Sequence, residues 1–176
     1  MIARSGEQKD IRTSAVVKAQ REFRRGTVVR GRYELRQKLG VGEMGIVWSA
    51  HSLTLDVPVA LKLLHHSSKT SAAAERLELS ARAAAKLAHP GITQVLDFDY
   101  TEDGIPFLVM ELLSGRTLLE LMQEHGRFSR VDAVRMLLPI AAALAFAHDR
   151  GVVHRDVKPQ NVFVAKDDSE RVNPIT

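Results

Sequence analysis

Glycines at positions 40, 42 and 45, followed by Val47, fit G-x-G-x-x-G-x-V, and the residues that come next constrain the fold more than the glycines do. Glycine lets backbone N–H groups approach a phosphate with no side chain in the way. A doubly wound dinucleotide fold requires a helix after the last glycine and an acid about twenty residues further on. Here Ile46, Val47 and Trp48 follow instead, and the region where the acid belongs holds Lys62 and His65. β-Branched and aromatic residues favour the pleated strand, so the glycines sit in a strand–turn–strand. An ordinary glycine-rich hairpin has the same pattern, and the choice between the two rests on the rest of the chain.

Three β-rich stretches run in succession, 33–39, 46–50 and 57–64, which predicts an antiparallel meander. Residues 71–88 switch to helical spacing, with Leu77, Ala81, Ala84 and Ala88 three or four apart, and His89-Pro90-Gly91 ends the run. Two further strands, 92–100 and 106–112, flank the turn-forming tetrad Thr101-Glu102-Asp103-Gly104. Helices are predicted at 117–125 and 129–148. Ser129 and Asp132 form the start of the second, Gly151 its stop, and Pro139 inside it predicts a kink or a displaced hydrogen bond. The expected class is α+β: a small five-stranded antiparallel sheet lobe with one helix, joined through residues 111–115 to a mainly helical lobe.

The chain of 176 residues, 45% apolar, has room for one ordinary domain or two small lobes. Without cysteine it has no disulfide and no thiolate metal site, which fits a reducing compartment and a cytoplasmic location. The longest nearly uncharged apolar run, 136–147, is too short to span a bilayer and contains Pro139, and the N-terminus lacks the apolar stretch of a secretory signal. The net charge of +4 belongs to the leader: ten Lys/Arg stand against four Asp/Glu up to Arg36, and fifteen against seventeen beyond it. Arg21, Arg24, Arg25, Arg30 and Arg32 form a basic arm that could touch nucleic acid or anionic lipid. No RNA-reading aromatic motif follows, so residues 1–28 read as a basic flexible extension without a specific nucleic-acid partner.

Two further constellations carry chemistry. Val59-Ala60-Leu61-Lys62 ends a strand, and alternation puts the Lys62 ammonium on the same face as Ala60, toward the glycine turn if the hairpin closes. His154-Arg155-Asp156-Val157-Lys158-Pro159-Gln160-Asn161 supplies a carboxylate that can accept a hydroxyl proton. A cation follows two residues on, and five residues on stands an amide oxygen able to bind a metal. Phosphoryl transfer dominated by positioning needs that set. His65 and His66, adjacent at a strand end, point to opposite faces and make a poor metal pair.

With these blocks in this order, the chain from about Tyr33 onward resembles the eukaryotic-type protein kinase family, in its Ser/Thr version because Lys158 and Pro159 follow Asp156. The resemblance implies ATP and Mg²⁺ as cofactors and a protein bearing Ser or Thr as substrate. It makes residues 29–112 the N-lobe and 113–176 the hinge with part of the C-lobe. By resemblance Gly40, Gly42 and Gly45 cover the phosphates, and Leu39 joins the nucleotide-binding set. Val47 and Ala60 cap the adenine, Lys62 pairs with the α/β-phosphates, and Met110 guards the back of the pocket. Glu111 and Leu113 offer backbone hydrogen bonds to the base, and Phe163 forms the pocket floor. Asp156 is the implied catalytic base, Lys158 steadies the transferred group, Asn161 holds Mg²⁺, and His154 and Arg155 are supports.

Two departures stand beside the matches. The glutamate that the family pairs with the strand lysine falls, counted back from His89-Pro90, on Ser80; Glu78 lies about a hundred degrees from the centre of the helix's apolar stripe. The chain ends at Thr176, where the D-F-G metal carboxylate is due. The resulting expectation is that the 176-residue chain is itself inactive and marginal or aggregation-prone. Each uncovered Leu, Ile or Phe forfeits about 1.5–3 kcal/mol, against a domain stability of roughly 5–15 kcal/mol. A pseudokinase or nucleotide-binding interaction module, or an inactive truncated product, is the alternative.

Overall fold

Side-chain alternation along β3 (Gly45–Ser52) and β4 (Val57–Leu64) organises the first part of the chain. The computed structural model describes residues 23–42, 45–64 and 71–166, with side chains except at 71–74, 76 and 77. The leader before Phe23 with Arg21, the pair His65 and His66, and the Leu77 side chain lie outside the described residues, as do Glu43 and Met44 and the segment after Lys166. The backbone divides into two units, residues 1–76 with 98–109 and residues 77–97 with 110–176.

In the first unit β1 (Val28–Val29), β2 (Tyr33–Gly42), β3 and β4 pair antiparallel in chain order. With β5 (Val95–Tyr100) and β6 (Pro106–Glu111) the sheet order is β1-β2-β3-β4-β6-β5. The five predicted strands are present, and β1 adds a two-residue sixth at the edge. It lies partly inside the extension expected to end at residue 28. Phe23 packs against the core and Val29 is buried within it, a burial by tertiary contact that an aperiodic polar stretch does not announce. Trp48, Ala50, Val59, Leu61 and Leu63 point to one face and form the core with Leu35 and Phe107. Tyr33 meets Phe107 edge-to-face, ring centroids 6.0 Å apart.

The turn between β1 and β2 is tied to β5 by Asp99, which accepts from Arg32 at 2.7 Å and from Arg30 at 3.4 Å. The backbone N–H of Tyr100, with these guanidinium groups, holds the Asp99 carboxyl below its ordinary value. Two bulges in β2, between Leu35 and Gln37 and between Lys38 and Gly40, bend that strand before the glycine turn.

Helix α1 (Ser71–Ala84) stops earlier than predicted. Lys86 and Leu87 donate to the carbonyls three residues back, so the last turn tightens before His89-Pro90. Helix α2 (Leu118–His125) starts from a capping box: the Thr117 hydroxyl accepts from Glu120 N, and Glu120 accepts from Thr117 N. Helix α3 (Arg130–His148) starts from Ser129, whose hydroxyl accepts from Asp132 N as the sequence predicts. Its end is a Schellman motif. Gly151, at φ +74°, donates to His148 O, and Val152 donates to Ala147 O.

In the second unit Ala143 and Ala147 of α3 pack with Leu87, Ile92, Phe146 and Val152. Ile140 of α3 is buried as well, whereas Val131, Val134, Leu137 and Leu138 are more than half exposed. By length and composition alone α3 could cross a bilayer, although 136–147 reads as too short. Two short strands, β7 (Gly115–Thr117) and β8 (Phe163–Ala165), pair antiparallel beside it in sequence order.

Phe107 is fully buried at the centre of the first core. Phe107→Ala is expected to lower unfolding stability by about 3–5 kcal/mol, read as a shift of the urea midpoint.

Candidate active site

Strand register places the candidate residues of the first unit. Gly40 stands opposite Val47, and Val47 opposite Lys62, so three strands set these residues in one row. Ser49 stands opposite Ala60, two residues along the same ladder. Directly opposed residues share a face, so Val47, Ala60 and Lys62 lie on the face away from Trp48, Leu61 and Leu63. Ala60 is buried and Lys62 half-buried, whereas Leu39 and Gly42 at the end of β2 are exposed. The sequence places Lys62 and Ala60 together by alternation; the Gly40–Val47–Lys62 row depends on the two bulges of β2 and could not be counted beforehand.

The second unit holds the other residues. Glu111 ends β6, its N–H donating to Gln94 O at 3.1 Å and its carboxylate accepting from Gln94 N at 2.7 Å. Met110 and Leu113 flank it, half-buried. Phe163 sits in β8 opposite Thr117. A Cβ at Gly115 would lie 2.2 Å from Val164 O, so glycine is what lets β7 and β8 meet there.

The Schellman end of α3 leads the chain through Val152 and Val153 into the acidic loop. Arg155 adopts φ +64°, a left-handed conformation that costs a non-glycine residue about 1–3 kcal/mol and is found where structure over-determines it. Past that reversal Asp156 N donates to His154 Nδ1 at 3.2 Å. Asp156 Oδ2 lies 2.8 Å from Lys158 Nζ and accepts from Asn161 Nδ2 at 2.9 Å. Asn161 Nδ2 also donates to Asp156 O at 2.8 Å. A 3-10 turn, Pro159–Asn161, brings the asparagine round, with proline in its first turn. The Lys158 hydrogen bond, then that of Asn161, holds the Asp156 carboxyl below its ordinary value. Burial pushes the His154 imidazole down, against the opposing charge of Asp156.

Asp156, Lys158 and Asn161 are thus drawn into one hydrogen-bonded set, and His154 props its backbone. Ser80 lines an apolar cavity of about 530 Å³ in the same unit, with Leu79, Leu87, Val153, His154 and Asn161 among its neighbours. Glu78 is paired to Arg82 one turn along, at 2.6 Å. The cavity had no sequence signal, because its walls come from α1, α3 and the acidic loop, far apart in the chain.

The protein kinase domain family matches residues 33–173. This chain belongs to the protein kinase family. The kinase is 36% identical over 140 residues to the serine/threonine-protein kinase pkn3 of Myxococcus xanthus, covering 79% of this chain and 26% of that protein. It is 39% identical over 144 residues to the serine/threonine-protein kinase PknA of Mycobacterium tuberculosis, covering 79% and 33%. A crystal structure of the Mycobacterium tuberculosis PknI kinase domain superposes with a TM-score of 0.76 at 28% identity, over 87% of this chain and 62% of that one. The kinase chain therefore spans about a quarter to a third of the length of these two curated relatives.

The depressed His154 pKa fixes a sign. Below its ordinary value of 6.5 the unfolded chain takes up a proton that the folded loop resists, so stability falls as pH drops below about 6.5 and this group contributes no slope above it. The expected observation is a His154 ring titration by NMR with a midpoint below that of a free imidazole, together with a stability loss on that side that His154→Phe reduces.

Proposed function

We propose that this kinase transfers the γ-phosphoryl group of ATP to Ser or Thr hydroxyls of a protein substrate. The observation that carries this reading is the bonded set of Asp156, Lys158 and Asn161, in a chain whose relatives are named serine/threonine-protein kinases. The residues fit a magnesium nucleotide. The Asn161 amide nitrogen donates to Asp156 O and Asp156 Oδ2, and its amide oxygen is of the kind that suits Mg²⁺. A Cβ at Gly40 would meet no described atom within 4 Å, and Lys62 stands in the same strand row.

When bound, MgATP supplies the transferable phosphoryl group and the metal's neutralising charge. Gly40 and Gly42 present backbone to the phosphates, and Lys62 offers its ammonium to the α/β-phosphates. By the family resemblance, Leu39, Val47, Ala60, Met110, Leu113 and Phe163 would line the base, and Glu111 and Leu113 would offer it backbone hydrogen bonds. Asp156 would accept the hydrogen bond of the incoming hydroxyl and take its proton as that oxygen bonds to the γ-phosphorus and the bond from this phosphorus to the β–γ bridging oxygen breaks, with ADP as the leaving group. Lys158 balances charge beside it.

A nucleotide-binding module without transfer is the second reading. Ser80, standing where the family resemblance expects a glutamate, favours it.

Asp156→Asn separates the two. On the proposed reading it lowers the rate of labelling of a Ser/Thr protein substrate from radiolabelled ATP by about 10²–10⁴-fold, with ATP affinity kept. Equal labelling by variant and parent would sink the transfer reading; ATP binding with no labelling by the parent favours the second.

A further inference from the structure

We infer that the three glycines of the turn serve two different ends, and that Gly45 is a positioning residue that locks the turn to the strand carrying Lys62. The inference rests on the nucleotide reading for Gly40 and Gly42 but not for Gly45. A Cβ built at Gly40 meets no described atom within 4 Å, and one at Gly42 reaches the Gly45 carbonyl oxygen only at 4.0 Å. The described protein leaves room for a side chain at these two positions, and on the nucleotide reading it is the approach of a phosphate to the backbone that glycine serves there.

Gly45 is the opposite case. A Cβ there would lie 2.1 Å from Leu63 O, 2.9 Å from Leu63 C and 2.9 Å from Leu64 Cα. All three are main-chain atoms of β4, so no rotamer change relieves the clash and the strands themselves must part. Gly45 is opposite Leu64, and two steps along the same ladder Val47 is opposite Lys62. Gly45 also pairs back to Gly42 across the turn. One close approach therefore fixes both the base of the turn and the end of the strand that presents the lysine.

Single Ala variants at 40, 42 and 45 in the full chain test this by three readouts: thermal midpoint, ATP affinity by titration, and the rate at which an amine-acylating reagent modifies Lys62, followed by peptide mass mapping. Gly45→Ala is expected to lower the midpoint by about 5 °C or more and to change Lys62 labelling several-fold without nucleotide present. If it fails to fold, the sheet demand is met in the strongest form. Gly40→Ala and Gly42→Ala are expected to keep the parent's midpoint and Lys62 labelling rate while weakening ATP binding about tenfold. A Gly45→Ala protein that melts and labels like the parent overturns the inference, as does a loss of midpoint in Gly40→Ala or Gly42→Ala equal to that of Gly45→Ala. Failure of the parent to bind ATP overturns the nucleotide reading and the ligand half of the inference with it, while melting and labelling still decide the role of Gly45.

Discussion

The register between β3 and β4 is the constraint on which the first unit depends. With Trp48 opposite Leu61 and Val47 opposite Lys62, one face of the ladder carries the core residues Trp48, Ala50, Val59, Leu61 and Leu63 and the other carries Val47, Ala60 and Lys62. Side chains alternate with a period of two, so a slip of one residue would bury the lysine and expose the tryptophan. Burying an unpaired ammonium costs several kcal/mol, and the exposed aromatic forfeits its transfer energy too. The same hydrophobic pattern that folds the sheet therefore also sets the face on which Lys62 stands.

In the second unit the equivalent role falls to the end of α3. The helix could not lead into the acidic loop by simply fraying, because Ala147 and Val152 both belong to its core. Gly151 in the left-handed region turns the chain within a single residue and satisfies the carbonyls of Ala147 and His148. His89 adds a second brace from the turn after α1: its ring lies 4.9 Å from that of Phe146 while Nδ1 accepts from Gly91 N. The segment from Val152 to Asp156 thus leaves a fixed point in a fixed direction, and Arg155 can be held in an unfavourable conformation because the residues before it are pinned.

Much of this was legible in the residues, for identifiable reasons. The glycine turn between strands, the Ser129 and Thr117 helix starts and the Gly151 stop are local, and local chemistry decides them. The set Asp156, Lys158, Asn161 was legible because six consecutive residues, 156–161, contain it. What stayed hidden is what depends on residues distant in the chain. Phe23 and Val28–Val29 belong to the sheet unit because of contacts to β2 and its core. Asp99 is the partner of Arg30 and Arg32, 69 and 67 residues away. The different status of Gly45 appears only when β4 is laid beside it.

The electrostatics of Asp156 limit how it can act. Lys158 and Asn161 both stabilise its anionic form, so the carboxylate is charged at neutral pH and is a weaker base than an unassisted one. Removing a proton from an alcohol before phosphorus–oxygen bonding begins would ask of it a transfer against a very large pKa difference. In a loose transition state the attacking oxygen carries little bonding to phosphorus and keeps its proton until late, when the developing oxonium is a strong acid. A weak, ionised and well-held carboxylate suits that timing: on the proposed function it would orient the hydroxyl early and receive the proton only when the transfer is downhill. On the proposed function, the Lys158 contact that depresses the basicity of Asp156 carries little penalty in rate, because what the carboxylate contributes is direction and charge.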